Sequence, residues 1–130
     1  MATESDKRPS RFSRLMHRLT ASEAELDAEE LQRGSMESGS TPASGCRRGQ
    51  VVSVTGRLRT VVYTPRTNLP TLEAELYDGS DLITLVWLGR RHIAGIEPGR
   101  RLRVHGMVTE NDGQRAVFNP RYELVPTTHA

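Results

Sequence analysis

The stretch LEAELYDGSDLITLVWLG, residues 72–89, holds two strands and the turn that joins them. Leu72, Ala74 and Leu76 alternate with Glu73, Glu75 and Tyr77, the period-two pattern of a strand covered on one face. Asp78-Gly79-Ser80 reverses the chain, because glycine takes the left-handed backbone that a tight hairpin demands. Residues 82–88 are apolar on both faces, so that strand is covered on both. By the same parity Trp87 joins Ile83 and Leu85 on the core side, and Tyr77 points outward.

The alternation extends in both directions. Upstream, Val52, Val54, Gly56 and Leu58 oppose Ser53, Thr55, Arg57 and Arg59, and the strand runs on through Val61 and Tyr63 with Gly56 allowing a bulge or bend. Downstream, residues 90–95 allow one helical turn before Glu97-Pro98-Gly99. Leu102, Val104, Gly106 and Val108 then alternate with Arg101, Arg103, His105 and Met107. Asn111-Asp112-Gly113 makes a second hairpin turn, and residues 115–125 form a last strand interrupted by Pro120. Five strands leave two sheet edges, which closing a barrel removes. The long bent first strand and the helical turn between strands three and four favour a five-stranded OB-type Greek-key barrel over an SH3-like one. The expected fold class is all-β, with the barrel over residues 47–126 and a tail at 127–130.

A different pattern precedes the barrel. Residues 1–33 read as an arm, helical from residue 10. Phe12, Leu15, Met16 and Leu19 recur at helical spacing, Ala24, Leu26 and Leu31 follow more sparsely, and Gly34 is the expected stop. Arg11, Arg14 and Arg18 make its first half basic, whereas Glu23, Glu25, Asp27, Glu29 and Glu30 make the second acidic. That sign change allows self-association into a homo-oligomer, packing of the arm on the barrel, or nothing beyond solubility. Residues 34–46, which include GSMESGSTPASG, read as a flexible linker. On this reading, residues 1–45 can be removed and the barrel still folds.

A length of 130 residues, 35% hydrophobic, with mean hydropathy −0.54, fits a small core plus an arm. Residues 47–130 carry twelve basic side chains, all arginine, against eight acidic ones; residues 1–46 carry six basic and eight acidic. Guanidinium forks suit phosphate, but a GC-rich genome also writes arginine by default, so the count alone does not decide. No run of ~18 apolar residues could span a membrane. The charged N-terminus lacks the apolar segment of a secretory signal, and a cytoplasmic protein with no membrane partner is expected.

The single cysteine, Cys46, excludes an intramolecular disulfide. Beside Arg47 and Arg48 it reads either as a thiol of lowered pKa or, more plainly, as a small residue packed where linker meets barrel. His17, His92, His105 and His129 are too far apart for zinc spacing, and neither a phosphate loop nor a nucleophile elbow is present. Glu73 and Glu75 read as solvated exterior rather than as an acid–base pair. No metal, cofactor or catalysis is expected.

The opening stretch, IAGIEPGRRLRVHGMV (93–108) and VFNPRYELV (117–125) together resemble small bacterial OB-fold nucleic-acid-binding domain proteins. More distantly they resemble the wedge domain of RecG-type helicases and anticodon-binding OB domains. Asp78-Gly79-Ser80, Ile96-x-Pro98-Gly99 and Val104-x-Gly106 carry the resemblance, which covers residues 47–126. It implies a non-catalytic binder of single-stranded or branched nucleic acid, DNA more readily than RNA, with room for a helicase or other protein partner. The rival class is an adaptor that binds proteins through barrel and arm.

A nucleic-acid groove in such a barrel combines a basic track with stacking rings, across strands two and three and the loops beside them. The candidate contacts are Arg57 and Arg59 on the first strand, Arg66 in the loop after it, and the ring of Tyr77. Arg90 and Arg91 follow the third strand, Arg101 and Arg103 lie on the fourth, and Arg115, Asn119 and Arg121 on the last. A strand rise of ~3.3 Å sets Arg101 and Arg103 about 6.6 Å apart, which suits neighbouring phosphates on one backbone.

Overall fold

Six strands follow one helix in the computed structural model, which describes residues 21–65 and 68–126. They are α1 (Ala21–Glu37), β1 (Val51–Thr64), β2 (Thr71–Tyr77), β3 (Leu82–Leu88), β4 (Arg101–Asn111), β5 (Gln114–Phe118) and β6 (Arg121–Leu124). The hairpin of the opening stretch forms as read, with Leu72 opposite Trp87 and Tyr77 opposite Leu82. β1 serves two neighbours: residues 51–57 pair with β4 and residues 57–64 with β2. Gly56 sits at that changeover because a Cβ there would stand 2.5 Å from the Tyr77 carbonyl oxygen.

β5 lies parallel to β3 and antiparallel to β4, and β4 returns to β1. The order β1-β2-β3-β5-β4 therefore curls until its ends meet. The other edge of β4 is shared by β6 over residues 102–105 and β5 over residues 108–111. Pro120 splits the expected fifth strand in two, since it has no N–H for a ladder and Asn119 before it adopts φ 52°. Val54, Leu58, Leu76, Leu85, Trp87, Leu102, Val104 and Val117 fill the interior, with Trp87 on the core side as its parity requires.

Three sequence expectations are corrected. The bulge in β1 falls at Arg59 rather than at Gly56, because Leu58 faces Leu76 while Thr60 already faces Glu75. That extra residue reverses the parity, so Val61 turns inward and Val62 outward. Residues 89–100 form no helix. Gly95 and Gly99 take φ of 85° and 90°, the Gly99 N–H bonds the Leu58 carbonyl, and Ile93 and Ile96 join the core. Among the described residues, the helix lies before β1 instead.

The third correction concerns residues 34–46, which are packed rather than loose. α1 runs through Gly34 and stops at Gly39, whose φ of 73° lets its N–H reach the Met36 carbonyl while the Ser40 N–H reaches that of Ser35. Ser38 and Ser40 share hydrogen bonds with the Thr55 hydroxyl. Ala43 and Cys46 are buried in the barrel core. The basic half of the arm, Arg66 and the tail at 127–130 lie outside the described residues.

Candidate nucleic-acid interface

Arg57 and Arg59 share one side of β1, as the alternation places them, and both meet α1. Asp27 accepts from Arg57 Nη1 at 2.6 Å through one oxygen and from Arg59 Nη2 at 3.0 Å through the other. Partial burial alone would raise the Asp27 pKa, but the hydrogen bonds and charges of Arg57 and Arg59 outweigh it and hold the carboxyl below its ordinary value. The Arg59 guanidinium also covers the Tyr77 ring, 4.7 Å from its centroid. Tyr77 is 7% exposed, and burial pushes its hydroxyl pKa up. The ring expected to stack on bases is thus under a lid.

Arg101 and Arg103 lie on the outer face of β4 as the alternation requires, opposite Arg57 and Thr55 of β1. Neither is paired with a carboxylate among the described residues. The Arg101 guanidinium lies against α1 at Gly34, where a Cβ would stand 2.7 Å from Nη2. The Nε atoms of Arg59, Arg100, Arg101 and Arg103 are buried with no acceptor among the described residues. Farther along β4, His105 Nδ1 shares a 2.7 Å hydrogen bond with the Ser53 hydroxyl.

Arg115 is structural. Its Nε and Nη2 donate to the carbonyls of Cys46 and Ser44 at 3.1 and 3.2 Å, and Nη1 donates to Asp81 at 2.8 Å. Asn119 is structural as well: its carboxamide oxygen accepts the Leu88 N–H at 3.0 Å and its own N–H reaches the Val86 carbonyl at 2.6 Å. These bonds hold the β5–β6 elbow to the end of β3. Beside the elbow runs a groove lined by Trp87, Pro120 and Tyr122, with Arg90 and Arg121 and also His105 and the exposed Glu123 along it. Both arginines are exposed and have no ion-pair partner among the described residues. Arg91 lies 5.8 Å from the Tyr63 ring centroid.

The outer sheet face of β1, β2, β3 and β5 is separate and partly covered: Val62 and Phe118 are exposed, but Val86, Ala116 and Glu75, the last expected as solvated exterior, are buried. One row across it is Val62, Glu73, Val86 and Phe118, and the next is Thr60, Glu75, Thr84 and Ala116. Among the described residues these rows hold two glutamates and no arginine, so the basic groups flank this face rather than line it. Sequence reading missed Asp27 as the partner of two candidate arginines. The acidic run of α1 was the available signal, but nothing local says which strand it meets. No cluster of metal-ligating side chains occurs among the described residues, and no described helix is long and apolar enough to cross a membrane.

No protein-family model matches the chain, and no curated protein matches it. Among solved structures, the chain is similar to a structure of RecG bound to a three-way DNA junction, at 26% identity and a TM-score of 0.51. The similarity covers 62% of this chain and 11% of that one, so it concerns a small part of the RecG chain.

Proposed function

We propose that residues 47–126 are an OB-type barrel, akin to a RecG domain, that binds single-stranded or branched DNA in the cytoplasm without catalysing a reaction. The pairing order β1-β2-β3-β5-β4, with β4 returning to β1 and β3 parallel to β5, supports the OB assignment. The observation that carries the binding proposal is the elbow groove, with Arg90 and Arg121 along it and without an ion-pair partner among the described residues, in a chain similar to part of RecG, which was solved bound to a three-way DNA junction. Exposed arginines facing an open groove offer phosphate contacts at little desolvation cost.

The test is a fluorescence-anisotropy titration against single-stranded, duplex and three-way-junction DNA and single-stranded RNA, each at two salt concentrations. The expected result is tightest binding to single-stranded or junction DNA, weakening steeply with salt. Arg90→Ala with Arg121→Ala should then flatten the salt slope by about two units. Absence of binding by the native protein overturns the proposal. A protein-adaptor role would then stand on the exposed Val62, Leu88 and Phe118 with Glu73, an apolar and acidic sheet surface.

A further inference from the structure

We infer that Arg57, Arg59, Arg101 and Arg103 form a second, covered binding strip for the phosphodiester backbone, and that α1 is its displaceable acidic cover. The inference rests on the reading that the chain binds nucleic acid. The register places Arg57 opposite Arg101 on adjacent strands, with Arg103 two residues farther along β4 and Arg59 beyond Arg57 on β1. Such a density of positive charge on one sheet face is self-repelling unless an anion lies against it. In the closed arrangement the anion is Asp27, which offers one oxygen to Arg57 and the other to Arg59. A phosphate presents the same pair of acceptor oxygens to a guanidinium fork.

One carboxylate does not satisfy the strip. The Nε donors of Arg59, Arg101 and Arg103 are buried and without acceptors. Buried donors are nearly always paired, and among the described residues three of the four buried Nε donors without an acceptor lie on this strip, the fourth being that of Arg100 just before β4. A chain of phosphates would bring acceptors at the required repeat.

The way α1 is held suits a cover better than a core element. Its buried side chains are Ala24, Leu31 and Ser35, and none belongs to the hydrophobic cluster inside the barrel. The other attachments are polar or backbone-close: Asp27 to the two arginines, Gln32 Nε2 to the Gly79 carbonyl at 3.2 Å, and Gly34 against Arg101. The segment after it is fixed by Asp78 and Arg115, so a released helix stays tethered. The outer side of α1 carries Glu23, Glu25, Glu29 and Glu30, which repel an approaching nucleic acid. Helix and strand of nucleic acid therefore exclude one another.

The experiment compares wild type, Asp27→Asn, and Asp27→Asn combined with Arg57→Ala and Arg59→Ala, by anisotropy against oligo-dT at several salt concentrations. Asp27→Asn should tighten binding about five- to twentyfold at low salt and steepen the salt slope by about one to two units, and the triple variant should lose both gains. Hydrogen exchange on the wild type supplies a readout without substitution: saturating oligo-dT should speed exchange of the α1 amides. Unchanged affinity in Asp27→Asn, or α1 amides that stay protected while wild type is saturated, overturns the cover although the chain binds DNA. If neither wild type nor Asp27→Asn binds any oligonucleotide, both the cover and the parent reading fall. Binding by Asp27→Asn alone supports the cover and overturns the elbow groove as the native binding site.

Discussion

Asp78, 1% exposed at the β2–β3 turn, accepts the backbone N–H of Ala43 at 2.7 Å, across 35 residues of chain. Its second oxygen accepts from the Ser80 N–H, the Ser80 hydroxyl and the Asp81 N–H at 2.9, 2.7 and 3.2 Å. One carboxylate thus shapes the hairpin and pins the segment that leads into the barrel. Asp78→Ala strands these donors and should cost about 2–4 kcal/mol, read as a lower urea midpoint. Deletion of residues 1–46 should lower the midpoint too, because Ala43 and Cys46 leave the core. A wild-type midpoint in either variant would make the segment a mere linker.

Arg115 and Arg121 separate structure from binding. Arg115→Ala breaks three hydrogen bonds and should destabilise by about 1–2.5 kcal/mol. Arg121→Ala should change stability by less than about 0.5 kcal/mol. Paired urea titrations and DNA titrations check this, with stability moving in the first variant and affinity in the second.

Cys46 is 4% exposed, and its thiol donates to the Pro42 carbonyl at 3.5 Å. Burial first, then the Asp78 charge, pushes its pKa up, only partly offset by Arg115. The native protein should therefore react slowly with a disulfide-exchange reagent at neutral pH, and fast in urea. Rapid labelling of the folded protein would restore the thiolate reading.

The pairing of Asp27 has a pH signature. Its folded pKa lies below that of the unfolded chain, so its stabilising contribution is complete above the unfolded value of ~3.9 and is lost as pH falls through the folded value. Asp27→Asn should lack this component. Urea midpoints of both proteins from about pH 6 to about pH 3 measure it, and identical acid profiles would contradict the pairing.

Val104, 1% exposed, takes the inward position the alternation assigned it. Val104→Ala should cost about 1–2.5 kcal/mol through lost burial and a residual cavity. An unchanged denaturation midpoint would contradict this.

Alternation made the strands, both hairpin turns and the core position of Trp87 legible, because sheet parity is written residue by residue. What parity could not carry was its own interruption. Nothing in the sequence distinguishes Arg59 as an extra residue, yet that bulge turns Val61 inward and Val62 outward. Residues 34–46 look loose because small residues dominate them. The same small size lets Gly34 meet Arg101 and Ala43 enter the core, beside partners far along the chain. The candidate arginines were legible as residues of outward faces, and their partners were not. Arg90 and Arg121 are exposed, whereas Arg57, Arg59 and Arg115 meet partners 30, 32 and as many as 71 residues away.

Trp87 is the sole tryptophan of the chain; its indole N–H is taken by the Pro120 carbonyl at 3.2 Å and its ring meets Tyr122 edge-on at 6.1 Å. The protein thereby contains one indole, excitable apart from its three tyrosines and seated at the elbow. Its emission should shift when Pro120 is displaced, as a ligand in the groove would do. It should stay steady when only the helix lifts from the arginines of β1. A single optical signal therefore distinguishes occupation of the groove from uncovering of the strip.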